Sequence, residues 1–204
     1  FVNWCDRHHL VLNVKKTKEM VFDFRRSSQP LDSLVIHDQS IERVSEYKYL
    51  GTTVDNKLNW NRNTQIVAGK ASQRLYFLRK LKEFHVDNRI LVLFYQSLIQ
   101  SILTFNFLCT FGNLSKQNRR KLDRPRKIAQ RLIYSDLPPI STVYEKRMLL
   151  KVHTIMNDPS HPLHHFFGFN RSGIRLRVPR SNRCRYRQSF VPNVIHMFNA
   201  NVKR

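Results

Sequence analysis

The stretch YKYLGTTVDNKLNW, Tyr47 to Trp60, decides how the chain is divided. Two tyrosines and a leucine lead into Gly51, and the β-branched run Thr-Thr-Val follows it. Asp55 and Asn56 then break the strand pattern. This order predicts a strand, a bend at the glycine, a second strand, a turn and the start of a helix. Glycine suits the bend because it tolerates backbone conformations that other residues resist.

The segments on either side of this stretch have different periodicities. Upstream, the pattern predicts the end of an amphipathic helix at 1–12 and a polar loop at 25–32. It also predicts short strands at 20–24, 34–36 and 41–44. Downstream, apolar residues recur every three or four positions. That spacing predicts four helices, from Trp60 to about 82 and at about 89–111, 115–134 and 141–156.

We therefore predict an α+β protein. Its parts are a small antiparallel β-sheet, a mainly α-helical bundle and an extended basic C-terminal tail, with domain boundaries at 1–58, 59–157 and 158–204. No acidic residue follows Asp158, and the tail is rich in arginine. Repulsion between these charges is expected to keep the tail extended until a polyanion binds. The end of the tail, SFVPNVIHMFN from Ser189, predicts a short helix that begins at Pro192.

The charge balance points to a polyanionic partner. The 204 residues include 36 Lys and Arg against 14 Asp and Glu, a formal net charge of +22. Nucleic acid is the first expectation and an anionic membrane the second. Hydrophobic residues make up 41% of the chain, which is enough for a packed core. A generic basic helical bundle is the alternative interpretation.

Two segments carry the predicted phosphate contacts. The third downstream helix has an apolar side for the bundle and a basic side whose cations can meet phosphates without reading bases. Arginines in the tail can bind phosphates bidentately and stack on exposed bases. The predicted contacts are Arg119, Arg120, Lys121, Arg124 and Lys127 on the helix, and Arg175, Arg177, Arg180, Arg183, Arg185 and Arg187 in the tail.

Other features restrict the setting. Three isolated cysteines argue against a disulfide framework or a zinc ribbon, and no signal peptide is visible. We therefore expect an intracellular ribonucleoprotein, nuclear or cytoplasmic, and not a secreted protein. The stretch 90–115 has no charged residue, but polar side chains interrupt it. A buried helix is therefore predicted there, with no membrane partner.

Segments in order along nearly the whole chain resemble LINE-type (non-LTR) retrotransposon reverse transcriptases of vertebrates, especially fish. Among them are S-L-I-x-S-I-L from Ser97, G-N-L-S from Gly112 and S-F-V-P-x5-F-N from Ser189. YKYLG with the following T-x-D resembles the palm–thumb junction of that family, where the bend is similar to the primer grip; this implies nucleic-acid contacts from Tyr49, Leu50 and Gly51. LNVKKTKEM, from Leu12, resembles the segment that follows the catalytic aspartates. It implies that Lys15, Lys16 and Thr17 lie near the incoming nucleotide, with Lys16 as a possible general-acid lysine.

The resemblance also implies what the chain lacks. The family's catalytic aspartate pair would lie upstream, and no Asp-Asp occurs in this sequence. The expectation is a C-terminal polymerase fragment of palm edge, thumb and tail, inactive alone, that binds template–primer as RNA or an RNA–DNA hybrid. No catalytic residue, metal ligand or cofactor is then expected in this chain. Mg²⁺ would belong to the full-length parent, with the missing palm and fingers.

Two alternatives belong to other classes. A nonenzymatic protein that binds RNA or single strands explains the charge equally well. An iron and 2-oxoglutarate dioxygenase would use His85 and Asp87 as H-x-D, His161 as a third ligand, and Arg177 with Arg183. The Lys-Thr strand segment is also similar to the short N-terminal region of AlkB homologue 8 proteins.

Overall fold

The computed structural model describes residues 1–25 and 31–202, so the centre of the predicted polar loop, 26–30, and residues 203 and 204 of the tail lie outside it. With 55% helix and 9% strand, the α+β class is confirmed. The chain divides into two compact units, Phe1–Asn63 and Thr64 onward. The division into 1–58, 59–157 and 158–204 stays a prediction.

The first unit contains one short helix and three separate strand pairs. Its elements are α1 (Val2–Arg7), a 3₁₀ turn (Val14–Lys16), β1 (Lys18–Glu19), β2 (Val35–Ile36), β3 (Gln39–Ser40), β4 (Glu42–Arg43), β5 (Glu46–Tyr49) and β6 (Thr52–Asp55). β2 pairs with β3 and β5 with β6 in antiparallel fashion, whereas β1 pairs with β4 in parallel. A single antiparallel sheet was expected, and the structure differs in this detail.

The parallel pair β1–β4 is held by side chains as well as by its ladder. Arg43 Nε lies 2.9 Å from a carboxylate oxygen of Glu19, and Lys18 forms an ion pair with Glu42. The hydrogen bond from Arg43 is the main reason why the pKa of Glu19 lies below its usual value. Pairing ends at Glu19, so the predicted strand at 20–24 is not formed.

The strand–bend–strand prediction is confirmed by the hairpin β5–β6. Tyr49 pairs with Thr52, which leaves Leu50 and Gly51 as a two-residue turn. Their φ values of 45° and 84° are both positive, as the twist of a tight hairpin requires. Glycine adopts this conformation without steric cost, whereas leucine does so at a cost of about 1 kcal/mol.

Asp55 organises the turn between the hairpin and the first long helix. Its carboxylate accepts hydrogen bonds from the backbone N–H groups of Lys57, Asn59 and Trp60, at 3.0 to 3.2 Å. The predicted role of Asp55 as a turn residue is therefore confirmed.

We expect Asp55→Ala to lower the free energy of unfolding by about 1–2 kcal/mol, because three donors lose one shared acceptor. Urea titration monitored by tryptophan fluorescence would measure the change. Ser33→Ala, at an exposed loop residue whose side chain has no described hydrogen bond, should change stability far less. Equal stability of Asp55→Ala and Ser33→Ala would contradict the organising role of Asp55.

The second unit is helical, as predicted. Its elements are α2 (Asn61–Glu83), which begins at the end of the first unit, α3 (Asn88–Phe94), a π-helical segment (Tyr95–Gln100), α4 (Ser101–Leu103), α5 (Phe107–Thr110), a 3₁₀ turn (Phe111–Asn113), α6 (Lys116–Ile133), α7 (Ile140–Met156), a 3₁₀ turn (His164–Phe166), α8 (Cys184–Arg187) and α9 (Phe190–Asn201). The predicted helix at 89–111 is interrupted at Asn106, which adopts a left-handed conformation.

The uncharged stretch 90–115, predicted as a buried helix, is buried on one side only; Ile90, Leu93, Leu98 and Phe105 are 40–62% exposed. One side of it is completely buried, with Leu91, Tyr95, Ile99, Leu103 and Phe107 at most 2% exposed. Among the described residues, no single helix is long and apolar enough to cross a membrane. The pair Asn88–Leu103 and Phe107–Asn113, bent by 43°, meets the requirement of length and composition when taken together.

The C-terminal tail is less extended than expected. The short helix predicted at the end of the tail is present as α9, and its Val194 and Ile195 are completely buried against the bundle. The side-chain amide of Asn199 bonds both the N–H and the C=O of Leu176, at 2.8 and 2.9 Å. Burial of the apolar run VPNVIHMF favours this docked position, and repulsion among the preceding arginines opposes it. The arginines of 171–187 remain exposed.

Candidate nucleic-acid interface

Helix α6 has a buried side and a basic side. Ser115 caps its N-terminus by accepting a hydrogen bond from Asn118 N, and Leu122, Ala129 and Ile133 are buried along its length. The exposed side carries the predicted contacts Arg120, Lys121, Arg124 and Lys127. This separation follows from the helical spacing of apolar residues, which turns the cations toward solvent.

Arg126 belongs to the buried side and has a structural role. It is 7% exposed and forms a bidentate pair with Asp123, with Nε–Oδ1 and Nη2–Oδ2 distances of 2.6 and 3.0 Å. Its Nη1 also donates to the carbonyl of Leu137 at 2.8 Å. Burial opposes ionisation of Asp123, but the hydrogen bonds from Arg126 and from Ile140 N–H outweigh it and lower the pKa of the carboxyl.

Two of the predicted contacts are partly engaged inside the protein. Arg119 donates to the carbonyls of Gly112 and Leu114, at 2.9 and 3.2 Å, and its guanidinium lies 5.0 Å from the ring centre of Phe111. Lys127 Nζ lies 3.8 Å from a carboxylate oxygen of Asp123. Their charge is therefore partly used in holding the fold.

A groove of about 400 Å³ lies between α2 and α6. Small residues of α2 form part of its wall, and three cations line it: Arg79 from α2, and Lys121 and Arg124 from α6. Along the part of the chain that the structure describes, none of the three is hydrogen-bonded or ion-paired to a protein group. The remaining lining residues are Ala68, Gly69, Ser72, Leu75, Pro125 and Ile128.

The groove is a candidate anion site. Three unneutralised cations around a concave surface concentrate positive potential there. Gly69 leaves open space above the helix, since a Cβ built on it meets nothing within 4 Å. The sequence predicted Lys121 and Arg124 but missed Arg79. The small residues Ala68, Gly69 and Ser72 could have indicated this site, because they leave space along α2 for a groove that Arg79 also lines.

The tail arginines are exposed but fall into separate local structures. Arg175 and Arg177 flank Leu176, which forms a β-bridge with Phe169. Arg183, Arg185 and Arg187 lie at or in the four-residue helix α8, where Arg187 donates to the carbonyl of Ser181 at 3.4 Å. Arg180 lies between these two structures and is also exposed. Their binding role stays a prediction.

The first-unit candidates have local structural roles. Asn13 accepts a hydrogen bond from Lys16 N at 3.1 Å, and Thr17 Oγ1 donates to the carbonyl of Asn13 at 2.9 Å. These bonds close the 3₁₀ turn on which Lys15 and Lys16 are exposed. Tyr49, Leu50 and Gly51 belong to the exposed hairpin turn. All six lie in the unit that does not contain the groove.

The residues proposed for an iron site do not fit one. The Asp87 carboxylate caps α3 by accepting from Arg89 N at 2.7 Å, and His161 Nδ1 accepts from Leu163 N at 3.1 Å. His85 is exposed, in a left-handed conformation after α2. Across residues 1–25 and 31–202, no three His, Cys, Asp or Glu side chains are grouped so that they could hold a metal ion.

Comparison with known proteins gives one family similarity. The family model described as "Alkylated DNA repair protein alkB homolog 8, N-terminal" matches residues 60–101. The match covers α2, α3 and the start of α4, including the α2 wall of the groove. No curated protein and no solved structure matches the chain.

This result corrects two expectations. The family found is not a LINE-type reverse transcriptase, so the interpretation as a C-terminal fragment of a retrotransposon RNA-directed DNA polymerase is wrong. The resemblance therefore no longer supports a nucleotide-side role for Lys16 or a primer-grip role for Gly51. The similarity to AlkB homologue 8 was expected in the Lys-Thr strand segment, whereas the match begins at Trp60.

Proposed function

We propose that this chain is a nonenzymatic nucleic-acid-binding module that holds a sugar–phosphate backbone in the α2–α6 groove. The observation that carries the proposal is the convergence of Arg79, Lys121 and Arg124, without protein partners among the described residues, on one groove. Phosphates are the common anions that match such a row of cations.

Two further observations support the proposal. The net charge of +22 favours association with any nucleic acid and raises the rate of encounter. The family similarity covers the α2 wall of the groove, and the description of that family names a DNA repair protein, whose substrate is a nucleic acid. RNA and RNA–DNA hybrids are the ligands that we expect.

The test compares two triple variants of equal charge. One replaces Arg79, Lys121 and Arg124 with glutamine; the other replaces Lys57, Arg89 and Lys146, which are exposed and lie outside the groove. Binding of fluorescently labelled RNA and of an RNA–DNA hybrid is measured by anisotropy over a range of salt concentrations. Circular dichroism and thermal unfolding of both variants would establish that they remain folded.

We expect the groove variant to lose at least about tenfold in affinity and to lower the slope of log K against log salt by about 2, because three phosphate contacts disappear. The control variant should keep most of the wild-type slope. Equal losses in the two variants would mean that binding depends only on net charge and would overturn the groove as the site. Absence of binding by the wild-type chain at low salt would overturn the proposed function itself.

A further inference from the structure

Helix α6 ends in an unusual residue. Tyr134 occupies its C-terminal cap in the left-handed conformation, with φ 54° and ψ 40°. Glycine or asparagine is usual at this position, because a residue with a larger side chain pays a conformational cost there. The Tyr134 side chain gains no burial in return, since the residue is 83% exposed. Packing therefore does not explain why a tyrosine occupies this position.

One face of the Tyr134 ring is paired with a cation. Lys82 Nζ, from the end of α2, lies 5.2 Å from the ring centre. The same ammonium group lies 3.5 Å from Asn88 Oδ1. The cation–π contact gives the exposed ring a preferred position, and the high exposure of the residue leaves ring surface open to solvent.

The ring lies at one end of the basic groove. Lys82 follows the groove residue Arg79 by one helical turn, and Tyr134 follows the groove residue Ile128 by six positions, or about 9 Å along the helix. The contact between Lys82 and Tyr134 shows that the C-terminal ends of α2 and α6 are adjacent. A chain that leaves the groove in this direction therefore reaches the ring.

We infer that Tyr134 stacks on a base of a single-stranded nucleic acid whose phosphates lie in the α2–α6 groove. The inference rests on the proposed function and adds the class of ligand. An aromatic face beside a basic groove is the usual construction of single-strand sites, because every base has a face to stack. Bases inside a duplex already stack on one another. RNA and DNA strands share this chemistry, and parallel titrations with both distinguish them through the 2′-hydroxyl group.

The test uses Tyr134→Gly, which removes the ring and also relieves the left-handed backbone, so the variant should unfold at the same or a higher temperature. Single strands that contain 2-aminopurine are titrated into the full chain. We expect wild-type protein to quench the fluorescence by stacking. Tyr134→Gly should lose the quenching and about tenfold in single-strand affinity, with little change for duplex. Tyr134→Phe should restore both, and Phe105→Ala, at an exposed ring outside the groove, should resemble wild type.

Abasic oligonucleotides separate stacking from charge. They keep the phosphates, so wild type and Tyr134→Gly should bind them equally. If Tyr134→Gly binds base-containing single strands as tightly as wild type does and quenches equally, the stacking inference is wrong, although groove binding could still hold. A loss of similar size for duplex and abasic strands would also overturn it, because the ring would then act without a base.

Discussion

Asp123→Ala is expected to lower the free energy of unfolding of the helical unit by about 3–5 kcal/mol. The carboxylate is the charged partner of Arg126, which is 7% exposed and bonded to it by two nitrogens. Removing Asp123 leaves the buried guanidinium without its hydrogen-bonded counter-charge. It also removes the acceptor for Ile140 N–H, at 3.4 Å, where α7 begins. The unfolding temperature should fall by about 10 °C for a chain of this length.

Matched variants identify the origin of that loss. Glu145→Ala removes an exposed carboxylate with no ion pair among those the structure describes, and should change stability by less than about 0.5 kcal/mol. Adding Arg126→Met to Asp123→Ala removes the stranded charge and should recover part of the loss. The recovery is only partial, because the carbonyl of Leu137 also loses its donor. A double variant less stable than Asp123→Ala would show that the stranded charge is not the main cost.

The pair also gives stability a dependence on pH. The pKa of Asp123 is lower in the folded state than its ordinary value of 3.8. A carboxyl of this kind contributes its full stabilisation above the ordinary pKa and loses it as the pH falls through the lower folded value. The difference in unfolding free energy between wild type and the Asp123→Ala variant should therefore shrink below about pH 4. Chemical denaturation of both proteins between pH 3 and 6 measures this convergence.

Local patterns predicted the elements of this fold because their causes lie close together in the sequence. The turn at Leu50 and Gly51, the capping by Asp55 and the apolar spacing of the helices all act within a few residues. The pairing of β1 with β4, the buried role of Arg126 and the participation of Arg79 in the groove depend on residues that are distant in the sequence or on packing. Composition and spacing carry little information about such contacts.

The incorrect family assignment has a related physical cause. Its motifs were short, and two of them have local structural reasons in this chain. The Lys-Thr segment follows Asn13, which closes a 3₁₀ turn, and the Leu-Gly pair forms a tight hairpin turn. Residue types that a turn requires recur in unrelated proteins. A match of such motifs therefore favours a local structure more strongly than it favours a family.

Gly112→Ala is the substitution expected to disturb the packing of the tail most directly. A Cβ at this position would press against the backbone oxygen of Gln188, closer than van der Waals contact allows, and would lie 3.1 Å from Asn193 Nδ2 and 3.3 Å from Tyr144 Oη. Backbone cannot move aside as a flexible side chain can. We therefore expect a loss of about 2–3 kcal/mol, the usual cost of overpacking.

The loss should be located where the tail meets the bundle. Asn193 Nδ2 donates to Tyr144 Oη at 2.9 Å, and burial raises the pKa of that tyrosine to about 12. Displacing the chain at Gln188 pulls this hydrogen bond apart and exposes Tyr144. Spectrophotometric titration of the tyrosines in Gly112→Ala should therefore show one more group ionising near the ordinary value of 10. Trypsin should also cleave the arginine-rich segment 171–187 faster in this variant.

Gly69→Ala is the matched control, because a Cβ there meets nothing within 4 Å and the residue lies inside α2. Alanine should stabilise that helix by up to about 1 kcal/mol. If the tail were as loosely held as its charge suggests, Gly112→Ala would not be destabilised, and trypsin would cleave it at the wild-type rate. The opposite signs expected for the two glycines therefore decide whether burial of α9 or repulsion among the arginines determines the position of the tail.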